Sequence, residues 1–396
     1  MQTLSVKKRI QKAIFLVTLL LSISNTAQAQ LSVSAPLDPT GFLKERLNRI
    51  DETITAEIAS GKIPGAVALI ARDGKLAYHQ SFGFSDVAAS APMKKDSIFR
   101  IASMTKAVTA VSAMILYERG LFQLNDPISK YIPEYADMMV VSEVNSNGDV
   151  SAVVAAKTPI KIIDLFTHSS GLSYPFASNS LQSSYVRAGI IDGMTSKETT
   201  LATQMKLLAE QPLLFEPGSN YTYGLSIDLL GYLVEVVSGR SLNQFFNEEI
   251  FVPLKMHDTH FYLPENKFDR LVTLYAETEE AELVVSRGTE SNIILDNPRY
   301  PIGSGKTYYS GGAGLSSTAY DYSRFIQMLL NEGDLDGSRI LSRKSVELMR
   351  SNFINSGNDA IDISGSTIVV KGCVFDKVAD KALSAGVFAY FNPTSS

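Results

Sequence analysis

Near the start of the chain stands a hairpin with no neighbouring strand to complete it. Ala66–Ala71 and Leu76–Phe82 are apolar, β-rich runs joined through Asp73-Gly74, a pair that favours the tight turn of a two-residue hairpin. Two strands alone are marginal in water, so the open edge must pair with strands from elsewhere. The strand-like runs that follow Ile361 are chiefly Ser366–Val370 and Gly386–Phe391. Early strands that need late ones, with everything else between them, predict an α+β arrangement into which a helical subdomain is inserted.

The intervening and flanking patterns are helical. Leu43, Leu47, Ile50, Ile54 and Ile58 form one apolar face, stopped by Gly61. A second helix is expected after Phe99, with Met104, Val108, Val111 and Ile115 on one face and Gly120 as its stop. Leu229, Leu233 and Val236 predict another, ended by Gly239. Ser241-Leu242-Asn243-Gln244 has the capping-box spacing, and Phe325, Met328 and Leu329 mark a late helix ending near Gly333. No polar linker or internal repeat divides residues 41–350.

The N-terminus reads differently. Lys7, Lys8, Arg9 and Lys12 precede an apolar stretch, Ala13–Ile23, that is too short to span a bilayer. Ala27-Gln28-Ala29 then offers a small-x-small cleavage site. Residues 1–29 are expected to be a secretory signal peptide and 30–40 a linker, giving an exported protein, periplasmic or extracellular, with no stable membrane anchor after cleavage. With Cys373 as its one cysteine, the chain has no intramolecular disulfide and depends on an ordinary core. The net charge of −5 with both signs interspersed excludes a nucleic-acid surface, and the acidic run at Glu277, Glu279, Glu280 and Glu282 reads as a solvated face.

Acyl transfer needs a nucleophile, a base and donors for an oxyanion. No G-x-S-x-G elbow occurs, and none of His79, His168, His257 and His260 sits in a context that pairs it with a serine. Ser103-Met104-Thr105-Lys106 instead has the S-x-x-K form. Residues three apart share a helix face, so the Lys106 amine can reach the Ser103 hydroxyl. A serine near a helix N-terminus also leaves its own N–H free for an oxyanion. A lysine set among apolar neighbours can lose its charge near neutral pH and serve as base. A second match, Ser5 to Lys8, lies in the leader and carries nothing.

The run from Ser97 to Tyr135 around that motif closely resembles the nucleophile region of the serine β-lactamase-like family, which includes class C β-lactamases, D-amino-acid peptidases and related carboxylesterases. Further landmarks follow in that family's order: GAVALIARDGKLAYHQSFGFSD before it, then LFTHSSGLSY, FEPGSNYTYGLSIDLLG and GGAGLSSTAYDYSRF. The resemblance spans roughly residues 41–350. It implies a β-lactamase/transpeptidase-like fold, an antiparallel sheet flanked by helices, with the active site between the sheet and the helical subdomain. It also implies a catalytic tyrosine. Phe215, Pro217, Gly218, Tyr221 and Tyr223 match the family segment, so Tyr223 would join Ser103 and Lys106, with Tyr221 as the fallback.

Two departures bear on substrate. Class C enzymes carry Y-x-N here, whereas this chain reads Tyr223-Gly224-Leu225 and lacks the amide; S-M-T-K is also more typical of the esterase branch. The family's K-T-G-like strand, which supplies the second oxyanion donor, has no clear counterpart. Lys306-Thr307-Tyr308 is out of order and Lys371-Gly372-Cys373 matches poorly. Residues 351–396 are expected to be an atypical or truncated end of the same domain.

Three other signals resolve as decoys. Gly303–Thr307 resembles the end of a P-loop, but Tyr300 stands where a Walker motif needs glycine. His257 and His260 have no third ligand nearby, and His168 belongs to a structural loop. The expectation is thus a cofactor-free, metal-free serine hydrolase acting on a small ester or amide. A short-chain carboxylesterase leads. The alternatives are a class C-like β-lactamase, a D-peptidase or an impaired penicillin-binding sensor.

Overall fold

The computed structural model describes residues 40–391, apart from 192, 196, 278–281, 287–299, 304, 352, 354–367, 371–372 and 376–384; beyond residue 353 it describes backbone pairing. The signal-peptide region, most of the 30–40 linker, Glu279, Glu280, Lys371 and Gly372, and much of 351–396 lie outside the described residues.

The hairpin forms where the sequence places it. Strand β1 (Gly65–Arg72) pairs antiparallel with β2 (Lys75–Asp86), and Asp73 and Gly74 both take positive φ, 51° and 72°, as a type I′ turn requires. Two short strands follow, β3 (Ala91–Pro92) beside β2, and β4 (Phe99–Arg100), which pairs with β5 (Ser316–Ser317). The open edge of β1 takes the late strand β6 (Ala385–Phe391), antiparallel, with Leu69 opposite Phe388. The resulting sheet has the order β6-β1-β2-β3, so the early hairpin meets a late strand in it as expected. The second late run contributes Ile368–Val370, paired with Cys373–Phe375.

Alternation along β1 explains why both faces of this sheet are covered. Ala66, Ala68 and Ile70 point to one side, where they pack with Leu47 and Ile54 of helix α1 (Lys44–Ala59) and with Tyr78. Val67 and Leu69 point to the other and join the main core. All five are buried, and each of the larger aliphatic side chains contributes roughly 1.5–3 kcal/mol by leaving water.

That main core is mostly helical. Helix α2 (Thr105–Glu118) packs on helix α3 (Ser226–Ser238), burying Val108, Val111 and Ile115 against Leu229, Leu230 and Leu233. Helix α4 (Ala319–Leu330) is capped by the Thr318 hydroxyl and lies behind the sheet, contributing Phe325 and Met328. The helix expected from Leu229, Leu233 and Val236 forms as α3 and ends at Gly239, but it is not buried along its whole length. Val236 is 40% exposed although it shares spacing with Leu229 and Leu233. The first two turns of α3 are buried on nearly every side, but its last turn emerges before the Gly239 cap and leaves Val236 in solvent.

Candidate active site

The nucleophile candidate sits on a strained turn rather than inside a helix. β4 delivers the chain to Ile101, whose N–H donates to Leu315 O at 2.9 Å, and Ala102 then adopts φ 42°. A short 3₁₀ turn, Ala102–Met104, carries Ser103 and runs directly into α2. Positive φ at a residue with a Cβ is costly and persists only where neighbours over-determine it. Here the Thr105 hydroxyl accepts from Leu315 N–H at 3.0 Å, and the Tyr322 hydroxyl of α4 donates to Met104 O at 3.0 Å. Among the described residues, no acceptor meets the Ser103 N–H, which stays free to donate to an oxyanion.

Lys106 lies in the first turn of α2, three residues after Ser103. Its Nζ donates to Ser103 Oγ at 3.2 Å, to Tyr174 OH at 3.0 Å and to the Gly312 carbonyl at 2.8 Å. It also stands 4.6 Å from the Tyr223 ring centroid and 5.5 Å from that of Tyr174. Tyr223 completes the group: its hydroxyl donates to Ser103 Oγ at 2.6 Å. The three residues singled out by sequence therefore converge on one hydroxyl.

Tyr223 reaches that point through a backbone lock on His168. Thr222 N–H donates to His168 O at 2.9 Å, and Gly224 N–H donates to His168 Nδ1 at 3.3 Å, so the tyrosine is flanked by two bonds to one residue. The imidazole is buried and lies 4.9 Å from the Tyr223 ring. Burial, helped by the charge of Lys106, pushes its pKa down to about 3 and keeps it neutral, as an acceptor at Nδ1 requires. His168 thus positions and does not touch Ser103. Gly224 is needed for close approach: a Cβ there would meet Leu172 O at 2.1 Å. Leu225, at the place of the class C asparagine, is fully buried in the main core. Tyr221 stands edge-on to His168, with 6.1 Å between ring centroids.

Two partners escaped the sequence reading. Tyr174 lies in the GLSY landmark and Gly312 in GGAGL, so both stretches were marked, but nothing in a tyrosine after a loop or in a backbone carbonyl signals contact with a lysine. Tyr174 also stacks on the exposed Phe176, 4.7 Å between centroids, and lies 5.5 Å from Tyr223. An aromatic wall thus borders the serine.

The proposed oxyanion strand is not found at Lys306-Thr307-Tyr308. Lys306 Nζ lies over the Phe268 ring at 5.7 Å, and the Thr307 hydroxyl donates to Thr199 O at 2.6 Å. Lys371 and Gly372 lie outside the described residues. The His257–His260 segment is an ionic brace: Asp258 binds Arg270 at 2.8 Å and Lys267 at 2.9 Å, and Lys267 Nζ meets His260 Nε2 at 3.1 Å. No cluster of three metal-ligating side chains forms among the described residues.

The Beta-lactamase family's sequence profile matches residues 50–361. The chain belongs to the beta-lactamase family. Protein Rv1367c of Mycobacterium tuberculosis is 35% identical over 333 residues, covering 83% of this chain and 78% of that protein. Esterase EstB of Burkholderia gladioli is 30% identical over 306 residues, covering 75% of this chain and 74% of its own. Among solved structures, EstCE1, described as a hydrolase with promiscuous acyltransferase activity, superposes with a TM-score of 0.67 at 32% identity, covering 78% of this chain and 77% of its own. The fold is therefore the α+β, β-lactamase/transpeptidase-like one, and the protein is an enzyme of the serine-hydrolase type.

Proposed function

We propose that this enzyme is a carboxylesterase on short acyl esters, working through an acyl-enzyme on Ser103 with Lys106 and Tyr223 as its proton-handling pair. The observation that carries this reading is the convergence of Tyr223 OH (2.6 Å) and Lys106 Nζ (3.2 Å) on Ser103 Oγ. Both lie within the reach that proton transfer demands.

In the proposed cycle Ser103 Oγ attacks the ester carbonyl as its proton passes to the Tyr223–Lys106 pair. The new oxyanion is held by the Ser103 N–H. Collapse expels the alcohol, which takes a proton back from Tyr223, and water then repeats the steps in reverse to free the acid. Ester is favoured over β-lactam because the side chain at Leu225 offers no amide and is turned into the core. The half-exposed rings of Phe176, Tyr221 and Tyr223 suit an apolar substituent at the mouth. The names of EstB and EstCE1 agree with the ester reading. The basic-apolar-small N-terminus supports export, for which the mature protein should begin at Gln30.

The test is turnover of p-nitrophenyl butyrate by the purified protein, beside Ser103→Ala. Steady hydrolysis that disappears in the variant, with at most feeble hydrolysis of a chromogenic cephalosporin, is expected. Efficient cephalosporin turnover without esterase activity would reverse the assignment. A single stoichiometric burst would instead indicate a sensor that acylates without release.

A further inference from the structure

A carboxylate sits behind the lysine with no evident part in the chemistry. Asp228 is in the first turn of α3, and its side chain is fully buried. Its Oδ1 accepts from the Ser310 hydroxyl at 2.6 Å and from the Gly312 N–H at 3.1 Å. Among the described residues, its Oδ2 has no hydrogen-bond partner. A buried carboxylate oxygen left bare is expensive, and an apolar residue would avoid that cost, so the position calls for an explanation.

The explanation lies in what its two bonds hold. The residue whose N–H Asp228 binds is the one whose carbonyl accepts Lys106 Nζ at 2.8 Å. The rest of that loop is fastened on either side. Ser310 Oγ accepts from Ala313 N–H at 3.0 Å, and the Thr109 hydroxyl of α2 donates to Gly311 O at 2.7 Å. The fit leaves no room for adjustment, since a Cβ on Gly312 would lie 2.3 Å from Asp228 Oδ2 and 3.2 Å from Tyr174 OH. Burial raises the Asp228 pKa, while Ser310 and the charge of Lys106 work against that rise. The groups facing it are thus Lys106 from α2, Ser310 and Gly312 from the loop, and Tyr174 beyond Gly312.

We infer that Asp228 is a positioning residue. By gripping Ser310 and the Gly312 N–H it aims the Gly312 carbonyl at Lys106 and so holds the amine on Ser103. It touches neither substrate nor Ser103, and its effect on the reaction passes through Lys106. The inference rests on Ser103 being the nucleophile but not on which acyl compound is the substrate.

The test therefore reads Ser103 directly, as the rate of its labelling by a fluorophosphonate, alongside ester kinetics. Asp228→Leu keeps the branching at Cγ and removes the acceptors, with methyl groups larger than the oxygens they replace. Labelling and kcat should fall tenfold or more, with KM for the ester within about threefold. Asp228→Asn, which keeps an acceptor at Oδ1, should recover most of the loss. The deciding measurement is Asp228→Leu on a Lys106→Ala background: groups acting as one unit are strongly non-additive, so little further loss is expected. A further tenfold loss in that background, or Asp228→Asn as damaging as Asp228→Leu, overturns the inference. If Asp228→Leu does not fold, Ser310→Ala removes one of the two bonds and should reproduce the kcat effect in reduced form. Normal kcat in that variant overturns the inference equally. Absence of ester turnover with normal fluorophosphonate labelling would sink the esterase reading and leave this one standing.

Discussion

Tyr223 and Ser103 share a hydrogen bond of 2.6 Å from phenol to hydroxyl, while Tyr221, two residues earlier, packs on the far partner, His168. Both tyrosines are similarly exposed, 39% and 37%, so accessibility does not distinguish them and geometry does.

The consequence is a clean pair of variants. Tyr223→Phe should lower kcat by about 10²–10⁴, the range general acid–base groups supply. Tyr221→Phe should leave kcat within a few fold. Thermal melts that match the wild type in both would assign the difference to chemistry. A Tyr223→Phe enzyme with near-normal turnover would move the role elsewhere.

A second prediction concerns the backbone that aims Tyr223. Gly224→Ala places a methyl group 2.1 Å from Leu172 O, so one of the two strands of chain must move. Overpacking of this kind costs about 1–3 kcal/mol. Chemical denaturation should show that loss, and kcat should fall further than KM changes, because the displaced residue is next to Tyr223. Unaltered stability would mean that the Leu172 loop yields freely.

The hairpin, the S-x-x-K reach and the convergence of Tyr223 were legible because each rests on short-range patterning or on a resemblance carried by contiguous residues, and the late partner of β1 was legible because an open hairpin edge demands one. Asp73-Gly74 fixed the turn before any contact was known. What was not legible depends on distant chain segments crossing. Gly312 serves Lys106 through a carbonyl, which any residue possesses, and Asp228 reads in the sequence as one charge within an apolar helix. The exposure of Val236 was not legible for a related reason: periodicity gives a face but not where along the helix the core ends.

His168 gives a pH prediction. Its folded pKa, about 3, lies below the ordinary 6.5, so the unfolded chain binds a proton that the folded chain refuses. Stability is then fully present above pH 6.5 and declines as pH falls toward about 3. One such group contributes a slope of about 1.4 kcal/mol per pH unit across that window. Denaturant melts between pH 4 and 7 should show a slope smaller by roughly that amount (about 1.4 kcal/mol per pH unit) in His168→Asn than in the wild type. Parallel slopes would mean that the imidazole titrates freely when folded.

The last prediction sets stability against activity at the turn before the nucleophile. Ala102 holds φ 42° only because Leu315, Thr105 and Tyr322 bind the chain on both sides of it. Glycine accepts such a φ without steric cost, relieving about 1–2 kcal/mol, but it loses about 0.5–1 kcal/mol more entropy than alanine on folding. Ala102→Gly should therefore be stabilised slightly, by up to about 1 kcal/mol, in denaturant melts. The same freedom loosens the direction of Ser103 relative to Tyr223 and Lys106, so kcat should fall several-fold while KM holds. Ala102→Val keeps a Cβ and adds branching where left-handed backbone is least tolerated, and should lose both stability and turnover. If Ala102→Gly were both less stable and fully active, the turn would be relaxed in solution, and Ser103 would owe its placement to the hydrogen bonds around it alone.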